Sequence, residues 1–138
     1  LPIGKGELLQ EGEKIAILSI GAIATEVSKA IELLKEKGEA IPAHYDVVFL
    51  KPLDTTLLEY VATHYQAVIT VEDGAVHGGL GSSVLETLAE MGYQGRVKRL
   101  GIPDQFIPHG TPREQYSFSG IDAQSIAQTI LSLKEQLQ

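Results

Sequence analysis

The sequence predicts an α/β domain, a largely parallel sheet with helices on both faces, and three observations predict it. Apolar runs of strand length alternate with segments of 3.6-residue periodicity. Residues suited to helix caps stand at the joints between them. An apolar strand also runs through an acidic pair and a glycine-rich loop into an amphipathic helix, Val71-Glu72-Asp73-Gly74-Ala75-Val76-His77-Gly78-Gly79-Leu80-Gly81-Ser82-Ser83-Val84-Leu85-Glu86. Repeated strand–helix units joined by right-handed crossovers build such a sheet.

The elements follow in order. Glu7-Leu8-Leu9 lies between Gly6 and Gly12 and suits a short edge strand. Lys14 to Ile20 is an apolar run ended by Gly21, the pattern of a central strand buried on both faces. Thr25 to Lys37 carries Val27, Ala30, Ile31 and Leu34 on one helical face, and Gly38 stops it. Pro42 to Val48 reads as a second parallel strand, with proline tolerated at its start. Asp54 caps a helix running to about His64, its carboxylate placed to accept from the Thr56 or Leu57 amide. Ala67 to Val71 is a third strand, Ser82 to Met91 a helix ended by Gly92, and Val97 to Leu100 a fourth strand. Ile102 to Ser119 is the longest connection outside the sheet; within it Thr111-Pro112-Arg113-Glu114 is a capping box. Asp122 caps a last helix reaching about Leu137, with Ile126, Ile130 and Leu133 as its buried stripe.

Composition narrows the function. The chain has 138 residues, the usual size of one domain, and residues 1–138 are read as one. Lys plus Arg number 11 against 18 Asp plus Glu, a net charge of −7. Nucleic-acid binding needs clustered cations, and the densest basic run, Arg96-Val97-Lys98-Arg99, alternates like a strand, so no nucleic-acid partner is expected. With no cysteine, disulfides and thiolate chemistry are excluded, which fits a reducing, cytoplasmic setting. No apolar run approaches membrane-spanning length, so no membrane partner is expected. The opening Leu1-Pro2-Ile3-Gly4-Lys5-Gly6 reads like the middle of a chain, and a fragment of a longer polypeptide is the expectation.

The glycine loop is the candidate site. Gly81, Ser82 and Ser83 at a helix N-terminus could receive an anion. No Lys follows these glycines as in a P-loop, and Gly79-Leu80-Gly81-Ser82-Ser83-Val84 lacks the third glycine of a dinucleotide fingerprint. A tight turn packed against another domain is the simpler expectation. Glu72 and Asp73 could hold a hard cation or act as acid and base, but adjacent strand residues point to opposite faces. One of them capping the loop by accepting backbone N–H bonds is favoured. Among His44, His64, His77 and His109 no metal-ligand spacing occurs; His64 suits a helix C-terminus, and His77 lies in the glycine loop. No G-x-S-x-G elbow is present, and Lys51 reads as solvated.

Four segments carry a resemblance. Leu1 to Gly6, Phe49-Leu50-Lys51-Pro52-Leu53-Asp54, Thr70 to Ser82 and Leu100-Gly101-Ile102-Pro103-Asp104-Gln105-Phe106-Ile107-Pro108-His109-Gly110 together resemble the C-terminal domain of the 1-deoxy-D-xylulose-5-phosphate synthases, thiamine-diphosphate enzymes of the transketolase group. Asp73 stands where Glu is commoner and His77 where Met is frequent. The resemblance implies a three-layer α/β/α domain with a mixed five-stranded sheet, order 1-3-2-4-5, strand 1 antiparallel. Gly21 and the loop residues Glu72, Asp73, Gly74, His77, Gly78, Gly79 and Gly81 would then line one crevice or interface at the topological switch.

It implies further that thiamine diphosphate and Mg²⁺ belong to other domains of the parent enzyme. No catalytic, cofactor-binding or metal-binding residue is therefore expected here, and the isolated domain is expected to be inactive. Its expected role is structural, packing on the other domains of the parent chain and extending a homodimer contact. The alternatives are an anion-binding regulatory module at Gly81, Ser82 and Ser83, or the C-terminal domain of a 2-oxo-acid dehydrogenase β subunit.

Overall fold

A computed structural model describes residues 6–47, 53–73, 79–101 and 121–137. The elements are β1 (Glu7–Gln10), β2 (Ile15–Ser19), α1 (Ala24–Glu36), β3 (Ala43–Asp46), α2 (Thr55–His64), β4 (Ala67–Glu72), α3 (Leu80–Glu90), β5 (Arg96–Gly101) and α4 (Ala123–Gln136). The strands form one sheet in the order β1-β3-β2-β4-β5. β1 runs antiparallel to β3, and every other neighbouring pair is parallel. Both the order and the reversed first strand match the expectation.

The continuous apolar run of β2 has a physical use, because every residue of that strand is buried. Ile15 and Ile17 join Ile69 and Val71 of β4 under α1 and α4. Ala16 and Leu18 join Val68 under α2 and α3 on the other face. The predicted stripe of α1, Val27, Ala30, Ile31 and Leu34, is wholly buried, and so are Ile126, Ile130 and Leu133 of α4. Each fully buried Leu or Ile of this kind stabilises by about 1.5–3 kcal/mol relative to exposure. Polar ties fix α4 across α1: the Ala123 amide donates to Glu26 at 3.2 Å, and Lys134 Nζ donates to Glu39 at 3.0 Å.

The boundaries move by a residue or two. β2 starts at Ile15 because Lys14 has φ 68°, a left-handed turn conformation that no strand residue adopts. A 3-10 turn, Gly21–Ile23, precedes α1, which starts at Ala24 and ends at Glu36. Of the predicted Pro42–Val48 run, β3 takes Ala43–Asp46 and Val48 lies outside the described residues, whereas β5 extends one residue past each end of Val97–Leu100. Gly38 stops α1 as predicted: its amide donates to Lys35 O and the Glu39 amide to Leu34 O, each at 3.0 Å. The Ile102–Ser119 connection and its Thr111–Glu114 capping box lie outside the described residues.

Candidate functional site

The site begins at the end of β4. Glu72 is its last residue and shares the α3 face of the sheet with Val68 and Thr70. The Leu80 amide donates to Glu72 Oε2 at 2.8 Å and the Gly81 amide to Oε1 at 3.2 Å. One carboxylate thus takes two of the amides that a helix start leaves without a partner, at the positive end of its dipole. Gly79 stands at the N-cap with φ 100° and has no side chain to cap with, so Glu72 does this from seven residues upstream. That is why α3 starts at Leu80, two residues before the predicted Ser82. Glu72 is thus the member of the acidic pair that caps the start of α3.

Gly81 lies close over the sheet. A Cβ there would meet Thr70 Oγ1 and the Arg99 Cγ and Cδ atoms, each at 3.1 Å. Thr70 and Arg99 are cross-strand partners, and the buried Thr70 hydroxyl has no hydrogen-bond partner among the described residues. Gly21, with φ 82°, heads the 3-10 turn after β2, and that turn packs beside β4. Gly21, Glu72, Gly79 and Gly81 are thus gathered at neighbouring strand ends. Asp73 follows, half-buried. Gly74, His77 and Gly78 lie outside the described residues, as does His109. At the candidate anion site the Gly81 amide is held by Glu72, the Ser83 amide donates to Gly79 O at 3.0 Å, and Ser82 is exposed.

The same device recurs along this rim. Asp54 accepts from the Leu57 amide at 3.0 Å, as predicted, and also from the Gly6 amide at 2.8 Å. Asp122 accepts from the Ser125 amide at 3.2 Å, next to the Glu26 bond to Ala123. The starts of α2, α3 and α4 therefore all carry the chain's own carboxylates. In ligand-binding α/β domains such helix starts receive phosphate.

The sequence reading missed a second polar group, on the other face. His44 on β3 is fully buried, with Nε2 2.8 Å from Ser19 Oγ on β2. His44 Nδ1 and Asp46 Oδ1 are buried without partners among the described residues. Burial lowers the His44 pKa to about 4. Burial, and then the Glu7 carboxylate opposite, raise the Asp46 pKa. His44 was weighed only for ligand spacing; the available signal was a histidine inside a strand placed between two others. His64 ends α2, stacks on Tyr60 with ring centroids 3.8 Å apart, and has Nδ1 2.8 Å from Tyr60 O. Among the described residues no three His, Cys, Asp or Glu gather as metal ligands, and no helix is long and apolar enough to cross a membrane.

Comparison with known proteins agrees with this architecture. The family model described as "Transketolase, C-terminal domain" matches residues 4–126. The chain is 53% identical over 130 residues, 94% of its length, to the 1-deoxy-D-xylulose-5-phosphate synthase of Parabacteroides distasonis, and covers 20% of that protein. It is 48% identical over 135 residues, 98% of its length, to the enzyme of the same name from Porphyromonas gingivalis, again covering 20%. The chain thus spans about a fifth of the length of these relatives. Among solved structures, a split-gene transketolase described as an inactive beta4 tetramer superposes with a TM-score of 0.83 at 31% identity, covering 96% of this chain and 43% of that one. The transketolase of Campylobacter jejuni, at 19% identity, 94% and 18% coverage and a TM-score of 0.61, shares the fold. The chain belongs to the transketolase C-terminal domain family.

Proposed function

We propose that this chain is the C-terminal structural and assembly domain of a 1-deoxy-D-xylulose-5-phosphate synthase. The parent enzyme condenses pyruvate with glyceraldehyde 3-phosphate and releases CO₂, giving 1-deoxyxylulose 5-phosphate for isoprenoid precursors. Thiamine diphosphate and Mg²⁺ belong to the other domains of that enzyme. This domain packs against those domains and extends the homodimer contact, with the Gly21 turn and the Glu72–Gly81 loop as its contact surface. The observation that carries the reading is the 53% identity to a named synthase across 94% of this chain. The rim supports it, because Asp54, Glu72 and Asp122 already accept from backbone amides at the starts of α2, α3 and α4.

A regulatory anion at Gly81, Ser82 and Ser83 would have to displace Glu72 from the Gly81 amide and Gly79 O from the Ser83 amide, so that alternative is disfavoured. The test is a domain exchange. This chain replaces the corresponding fifth of the P. distasonis synthase, and turnover and dimer mass are measured beside the isolated chain with cofactor added. The expected result is an active dimeric chimera and an inactive isolated chain. Turnover by the isolated chain, or a folded chimera that neither dimerises nor turns over, overturns the proposal.

A further inference from the structure

The polar group missed in the sequence has a definite place in the sheet. Glu7 of β1 stands opposite Asp46 of β3, and Asp46 stands beside Ser19 of β2. These three form one cross-strand row at the carboxyl end of β2 and β3. His44 lies two residues back on β3, on the same face, opposite Gln10. Among the described residues its ring bonds only to Ser19, at 2.8 Å. The layer above this face is apolar, with Val27, Ala30 and Ile31 from α1 and Ile126 and Ile130 from α4. Among the described residues, Glu7 of β1 and Asp46 of β3 share this face, and Lys35 of α1 reaches Gln10 Oε1 at 3.1 Å. β2 contributes the Ser19 hydroxyl.

A neutral imidazole tolerates this setting, with one nitrogen bonded to Ser19. An imidazolium has two N–H donors and a charge, and a buried charge without a partner is costly. Water must then reach the ring, and the sheet offers one economical way in. Outside β3 lies only β1, four residues long, irregular between Leu8 and Gln10, with Leu8 and Leu9 exposed. On the other side β2 and β4 are buried in the centre of the sheet.

We propose that His44 is an acid-triggered latch: neutral, it ties β3 to β2 through Ser19, and protonated, it opens the β1–β3 edge while β4 and α3 stay closed. Opening exposes the ring and returns it toward its ordinary 6.5, so between that value and about 4 proton uptake favours the open edge. Asp46 opposes the trigger. Its own proton uptake removes a like-charge contact with Glu7 and favours the closed edge. Loss of that carboxylate should therefore sharpen the opening. The proposal does not depend on the assembly role, since it concerns the stability of one edge of this chain.

Hydrogen exchange of the chain, followed residue by residue by NMR at about pH 7 and about pH 4.5 and corrected for intrinsic rates, tests it. The ladder amides of β1 and β3 should lose protection by about tenfold or more in acid while those of β4 keep theirs. His44→Gln, which retains a donor for Ser19, should abolish the difference, and Asp46→Asn should enlarge it. Should His44→Gln fail to fold, ring ¹⁵N shifts of the unmodified chain serve instead, and edge opening must track ring protonation. Equal loss across β1, β3 and β4, an acid response that survives His44→Gln, or a ring that titrates with the edge closed overturns the latch.

Discussion

The two faces of the sheet carry polar groups at the same end and treat them in opposite ways. On the α3 face, Glu72 has both oxygens in bonds to fixed backbone amides, at 2.8 and 3.2 Å. On the α1 face, His44 has one nitrogen bonded to Ser19 and the other buried without a partner among the described residues. A charge is held where the backbone supplies donors, and a ring is held neutral where it supplies none. Satisfaction by backbone, rather than burial alone, decides which polar groups a core can carry.

Four changes would break or sharpen this contrast. The largest effect is expected from acid. His44 has a folded pKa of about 4 against 6.5 in the unfolded chain, so between those values the unfolded chain binds more protons. Its contribution is present above 6.5 and lost as pH falls toward 4, about 3 kcal/mol in full. The raised pKa of Asp46 has the opposite sign: it stabilises in acid and fades as pH rises through its folded value, which offsets part of the loss. Urea unfolding of the chain and of His44→Gln from about pH 7 to about pH 4 measures this, and the variant should give the flatter curve.

Next comes Glu72→Ala, which leaves the Leu80 and Gly81 amides without their acceptor and should cost about 2 kcal/mol in urea unfolding. Glu72→Gln keeps an acceptor oxygen and should cost about half of that. The smallest effect is expected from Gly79→Ala. That residue keeps the Glu72 bonds but puts a Cβ at φ 100°, for about 1 kcal/mol by thermal or urea unfolding. A Glu72→Ala variant as stable as the parent would show that water replaces the clasp without loss, and the contrast between the faces would fail.

What was legible in the sequence follows from the distance over which each feature is assembled. The Asp54 and Asp122 caps join residues three apart, and local spacing reveals them. The sheet order is not local and came through resemblance to a family. The glycine loop marked the end of β4, and a cap from the acidic pair was foreseen. The start of α3 at Leu80 was not, because the capping group lies eight residues away across a loop. The Ser19–His44 pair joins residues 25 apart on neighbouring strands and depends on the register of that pairing. The Glu26–Ala123 bond spans 97 residues and had no local sign at all.

One carboxylate has a mechanical consequence. Asp54 holds the first turn of α2 with one oxygen and the Gly6 backbone with the other. A Cβ on Gly6 would stand 2.6 Å from the tip of the Leu57 side chain and 3.2 Å from Asp46 O, so the two segments pack closely. A tug on the polypeptide ahead of Gly6 is therefore delivered to a helix instead of being absorbed by a loose tether, and Asp54 is the rivet through which the load passes.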